Sequence, residues 1–176
     1  MELIQSSLRL LQLLFLIILT GLIGNVIATN ISAAGSATAA INFSMFVLVV
    51  SWLACLIGFS SKWLYDRIAA LPVVVLGLDF LATLFTFIAG VVLAAKLKVV
   101  NCSNTNGYPA DWIAYGSGDD TKRCREVQAS TAFMWFLFVT FTVSLVLTFF
   151  GFRRGTGSGV SGVGSSVRGG MSQVRV

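Results

Sequence analysis

The sequence predicts an all-α membrane protein, a four-transmembrane-helix bundle in one domain, and three observations predict it. Of the 176 residues 56% are hydrophobic and only 11% charged, with a mean hydropathy of +0.88. Soluble domains carry about 45–50% apolar and about 25% charged residues, so too few charges remain to coat a water-soluble globule, which excludes a soluble enzyme. Four apolar runs, at 10–28, 39–59, 69–95 and 127–152, are each long enough for the roughly 20 residues that cross about 30 Å of hydrocarbon. Lipid offers no partner to a bare peptide group, so each run is expected to be helical. Finally, Cys102 and Cys124 frame the longest connection between runs, whereas Cys55 lies inside the second.

In chain order, Glu2, Gln5, Ser6 and Arg9 alternate with leucines and are expected to prolong the first helix into the headgroups. The first run exceeds the roughly 7–15 residues of a signal-peptide core, and only Arg9 precedes it among basic residues, so it reads as a retained span. The connection 29–38 is uncharged and small, with Asn30, Ser32, Gly35, Ser36 and Thr38 suited to a tight turn. In the second span Cys55, between Ala54 and Leu56, reads as a small apolar residue. The connection 60–68 mixes Lys62, Trp63, Tyr65, Asp66 and Arg67, a set that belongs at the water–lipid boundary, with Lys62 and Arg67 on headgroups.

Pro72 falls in the first turn of the third helix, where its missing N–H costs little. Farther along, Ala82, Thr86, Gly90 and Ala94 recur every four residues and predict a small-residue packing stripe; Ala54 with Gly58, and Gly21 with Asn25, offer matching surfaces. Asp79 is the one charge inside the four runs. About ten residues from the helix start place it about 15 Å deep. There it is tolerable only when protonated or hydrogen-bonded, and Asn42, Ser51 and Asn25 are its expected partners. Two readings stay open: a packing group, for which Asp79→Asn preserves the fold, or the site of a small transporter or channel subunit.

The connection 96–126 holds Gly107, Pro109, Gly116 and Gly118 for turns and Tyr108, Trp112 and Tyr115 for a small apolar patch. Its two cysteines read as a disulfide in an oxidising compartment, worth about 3–4 kcal/mol in the chain-entropy model. The alternative is two free thiols in a cytosolic loop. Two thiolates with no histidine in the chain fall short of a four-ligand metal site. The segment is either a flap on the helix ends or a contact surface. Asn30 and Asn101 open N-x-S/T matches beside the membrane, and Asn42 opens one inside a span.

The fourth helix is ringed by Phe133, Trp135, Phe136, Phe138, Phe141, Phe149 and Phe150, so part of it is expected to face lipid or another subunit. The domain ends at 152. From Arg153 onward seven glycines, five serines and four arginines, without hydrophobic periodicity, predict a disordered tail over 153–176. Arg153 and Arg154 are placed to attract anionic lipid at about 1 kcal/mol each.

An even number of spans puts both termini on one side with seven basic residues, against five on the other. That is a weak vote under the positive-inside rule. The disulfide decides it: the 96–126 segment is external and both termini are cytosolic. The chain has no histidine, no CxxC pair and no paired carboxylates in a span. The run Gly155–Gly159 follows a membrane helix rather than a strand, so it is not a phosphate loop. No enzyme, cofactor or metal is expected. The net charge of +5 is divided across a membrane, which argues against nucleic acid.

Leu78, Asp79 and Phe80, then Phe85, Thr86, Phe87, Ala89 and Gly90, then Cys102, Ser103 and Asn104, and finally Arg123, Cys124, Arg125, Gln128 and Ala129 resemble the fungal non-classical export protein family. The four spans and the disulfide-sized third connection likewise resemble the MARVEL domain. The resemblance implies a plasma-membrane protein of eisosome-associated furrows that organises microdomains, responds to sphingolipid status and influences export of proteins lacking signal peptides. It implies sterol, sphingolipid or anionic lipid and eisosome-type scaffold proteins as partners, and it supplies no catalytic residues. Beside it, the helix faces predict a homo-oligomer. Transport is disfavoured, because the only prolines, Pro72 and Pro109, leave no span broken.

Overall fold

The computed structural model describes residues 2–33, 35–64, 71–98, 101–103, 108–109 and 111–160. Four helices follow in order: α1 (Glu2–Ala28), α2 (Gly35–Leu64), α3 (Leu71–Leu97) and α4 (Asp120–Val160). Each contains a stretch long and apolar enough to cross a membrane. Each helix packs on the next and α4 closes on α1, so α1 stands diagonally across the bundle from α3.

The helices bury one stripe each. On α1 the inward residues are Arg9, Gln12, Leu16, Leu19, Ile23 and Val26, alternating steps of three and four that define the seam of a left-handed bundle. On α3 they are Leu71, Val75, Asp79, Ala82, Thr86, Ala89, Gly90, Leu93 and Leu97. Of the expected packing line, Ala82, Thr86 and Gly90 are buried, while Ala94 is exposed. At 3.6 residues per turn a step of four overshoots by about 40°. Three such steps carry Ala94 about 120° off the seam. The outward faces, including Leu14, Ile17, Phe46, Val49 and Leu84, form an apolar outer surface.

The helices outrun the expected spans: α2 takes in Gly35, Ser36 and Thr38 of the first connection and Lys62 of the second, and α4 differs at both ends. Helix α4 begins at Asp120 rather than at 127 because its first turn is built above the membrane, where Asp119 Oδ1 accepts a bond from the Lys122 N–H at 3.0 Å. It also runs to Val160, so 153–160 is helical and not part of a disordered tail. Extending a formed helix costs far less than nucleating one, which lets a long apolar helix carry a weakly helical sequence past the membrane. The rest of the expected tail, 161–176, lies outside the described residues.

The first and third connections close one end. Cys102 and Cys124 are bonded, with Cα atoms 5.6 Å apart. The backbone N–H groups of Ile31 and Ser32 donate to the Gly116 carbonyl at 2.9 and 3.2 Å, joining the first connection to the third. Gly116 has φ +91°, and a Cβ there would lie 2.6 Å from the Ala33 nitrogen, so the close approach requires glycine. Trp112 is buried, donates its indole N–H to the Leu97 carbonyl at 3.0 Å and stacks on Tyr108. Trp112 thus turns inward onto the end of α3 with Tyr108 stacked on it, while Tyr115 stays exposed.

Candidate functional site

The bundle interior holds a buried ion pair. Arg9 Nη1 donates to Asp79 Oδ1 at 2.8 Å and Nη2 to Oδ2 at 2.6 Å, a two-pronged contact between α1 and α3 across the bundle diagonal. Arg9 is 4% exposed and Asp79 0%. Asp79 lies five residues before Leu84, the middle of α3 (Leu71–Leu97). At 1.5 Å per residue that is about 7.5 Å from the midplane, well inside the hydrocarbon. An isolated charge at this depth is costly; a matched guanidinium and carboxylate neutralise one another and satisfy each other's hydrogen bonds.

All four helices build the surroundings. Gln12, one turn along α1, accepts from Arg9 Nη1 at 3.1 Å. On α2 a Cβ at Gly58 would lie 2.5 Å from the guanidinium carbon, so the absent side chain is the slot that admits Arg9. Cys55 donates its thiol to the Arg9 carbonyl at 3.6 Å. Ser144 of α4 is buried beside the Asp79 carboxylate, and Thr83 donates to the Asp79 carbonyl at 2.6 Å.

Several expectations are corrected here. Arg9 does not sit in the headgroups; it is the partner of Asp79. None of the three expected partners bonds that carboxylate: Asn25 donates to Glu126 at 2.7 Å, Ser51 donates to the Val47 carbonyl, and Asn42 faces outward on α2. The sequence signal for Arg9 was its place three residues before Gln12 on the stripe continued by Leu16 and Leu19. It was masked because a basic residue at the edge of an apolar run has the same pattern as a headgroup anchor. Of the expected headgroup contacts, Arg153 is exposed with its guanidinium 5.8 Å from the Phe149 ring centroid. Lys62 lies on α2 and Arg154 on α4. Arg67 lies outside the described residues.

A second buried arginine closes the end that carries the disulfide. Arg123 is 1% exposed and donates from Nη1 to Asn30 Oδ1 at 3.2 Å, tying α4 to the connection after α1. Among the described residues no group of three or more histidine, cysteine, aspartate or glutamate side chains could hold a metal.

Four membrane helices, a disulfide in the connection between α3 and α4 and a buried ion pair define the class, and residues 2–147 match the MARVEL family, described as a membrane-associating domain. Non-classical export protein 2 of Saccharomyces cerevisiae is 33% identical over 156 residues, covering 85% of this chain and 82% of that protein. Non-classical export protein 2 homolog 1 of the same yeast is 30% identical over 156 residues, covering 88% of this chain and 84% of its own length. The chain belongs to this family of MARVEL-domain non-classical export proteins. No solved structure matches it.

Proposed function

We propose that the protein is a non-enzymatic organiser of plasma-membrane microdomains of the eisosome type, linked to non-classical protein export. Its termini face the cytosol. The observation that carries this reading is the state of Asp79: the one acid within the spans is spent on Arg9 across the bundle diagonal. Asp79 is then a lock between helices and not a carrier site, and a protein with so little mass outside the bilayer acts through its lipid-facing surface, self-association and tail. Sterol, sphingolipid or anionic lipid fills the grooves between aromatic side chains, and eisosome-type scaffold proteins meet the cytosolic face. The family likeness supports the export link; the lock supports an organiser over a transporter.

The test is expression of the fluorescently tagged full chain in Saccharomyces cerevisiae lacking the two relatives. Immobile plasma-membrane patches that rearrange when sphingolipid synthesis is blocked are expected; a uniform, freely diffusing signal in both conditions would overturn the reading. Proteoliposomes carrying a pH gradient are expected to leak no faster than empty vesicles. A proton flux abolished by Asp79→Asn would establish the transporter instead.

A further inference from the structure

Asn42 is exposed on the lipid-facing side of α2. Its depth follows from the Phe46 ring, which packs 5.9 Å from the ring of Phe85, one residue past the middle of α3. Four residues toward the external end from Phe46 place Asn42 about 7–8 Å from the midplane. That leaves it about 7 Å inside a hydrocarbon layer of about 30 Å. Its side chain has one methylene, too short to reach headgroups as lysine and arginine do. No hydrogen bond among the described residues involves its amide. Lipid tails offer neither a donor nor an acceptor, and an unmet amide in hydrocarbon costs several kcal/mol by order of magnitude.

The face around Asn42 fits another helix. Gly35, Ala39, Asn42, Phe46, Val49 and Leu53 are all exposed and follow one another by four, three, four, three and four residues, the repeat of a left-handed helix seam. Residues above Asn42 on this line are small and admit a close backbone; those below are bulky and fill the diverging gap. A carboxamide carries both a donor and an acceptor. Two copies related by a twofold axis therefore satisfy each other, each Nδ2 donating to the other's Oδ1.

We infer that α2 is the subunit interface of a dimer, a second copy of this chain packing along the Asn42 seam with the paired carboxamides fixing register. This rests on the self-association in the proposed function and assigns it to a helix. It moves the interface away from the aromatic α4.

Single cysteines at Asn42, Val49 and Leu53 of α2, and at Leu14, Val91 and Val139 as outward positions of α1, α3 and α4, are introduced into the full chain and oxidised in native membranes. Crosslinked dimer is expected from the α2 positions alone. In nanodiscs Asn42→Leu is expected to weaken dimerisation about tenfold, as for the loss of about 1–2 kcal/mol of membrane hydrogen bonding, and Asn42→Gln to retain most of it. An intact Cys102–Cys124 bond shows that each variant is folded. Dimers crosslinked through α1, α3 or α4, or undiminished by Asn42→Leu, overturn this interface and leave self-association standing. A monomer throughout overturns both. A monomer that retains one lipid by native mass measurement, lost in Asn42→Leu, assigns Asn42 to that lipid.

Discussion

At the scale of residues the central contact is electrostatic, and its logic reverses an intuition about conservative substitution. A protonated, hydrogen-bonded Asp79 would tolerate replacement by asparagine; an Asp79 carboxylate bound to buried Arg9 does not, because Asp79→Asn leaves the guanidinium as an uncompensated charge in hydrocarbon. Removing one member of a buried pair costs about 3–5 kcal/mol, whereas replacing both by apolar side chains is often neutral or stabilising. Arg9→Met and Asp79→Asn are each expected to lower the unfolding temperature in mild detergent sharply. The double variant Arg9→Met with Asp79→Leu is expected to recover most of the loss, and a double variant as unstable as either single one would argue that the pair is not the lock. Gly58→Ala provides a test from α2: its methyl would meet the guanidinium carbon at 2.5 Å. Arg9 cannot withdraw without leaving Asp79, so a cost of about 1–3 kcal/mol, typical of overpacking, is expected in the same assay.

At the scale of elements the flap between α3 and α4 is held by three different means: the disulfide, the two bonds to the Gly116 carbonyl and the Trp112 anchor on Leu97. The disulfide closes a loop of sequence separation 22, for which the chain-entropy model gives about 3 kcal/mol. Reduction is expected to raise proteolysis and amide exchange in 111–118 while leaving the four spans protected, since most of each helix seam lies away from the end where Trp112, Ile113 and Ala114 join the core. Gly116→Ala should produce the same local loosening with the disulfide intact, because an alanine is strained at φ +91° and collides with the Ala33 backbone. Exchange mass spectrometry distinguishes this from global unfolding. Protection lost from α2 and α3 as well would show that the flap supports the bundle and does not merely cap it.

At the scale of the whole molecule the buried arginines change the orientation argument. Arg9 leaves the cytosolic tally and Arg123 the external one, since both are buried, so seven against five becomes six against four. The sign of the vote stands, and the oxidised Cys102–Cys124 pair remains its main support. Impermeant maleimide is expected to label a cysteine placed at Tyr115 in intact cells, and one placed at Ser7 only after permeabilisation; the reverse pattern would invert the topology. Deletion of 161–176 is expected to leave assembly unchanged by native mass measurement and to shift where the assemblies lie in the membrane. Arginine contacts with anionic lipid act at the surface and not at helix seams. Unchanged clustering after that deletion would remove the tail from positioning.

What the chain itself determined is the part written in local composition. Four apolar runs, two cysteines framing one connection and a proline in the first helical turn are each decided within a few dozen residues, by the length of a bilayer and the chemistry of a thiol. The membrane class and the family likeness carried by 78–90, 102–104 and 123–129 were legible for the same reason. Only the tertiary structure decided which polar groups meet. Arg9 and Asp79 stand 70 residues apart, and whether an arginine at the edge of an apolar run faces headgroups or a carboxylate depends on the rotation of two helices that do not touch along their backbones. The rotation of α2 likewise turned Asn42 away from Asp79, whereas Ala94 left the packing line through the 3.6-residue period alone. Periodicity fixes the faces of each helix, but in hydrocarbon an apolar face is equally at home against lipid or protein, so the choice falls to side-chain fit and to the cost of an unpaired charge.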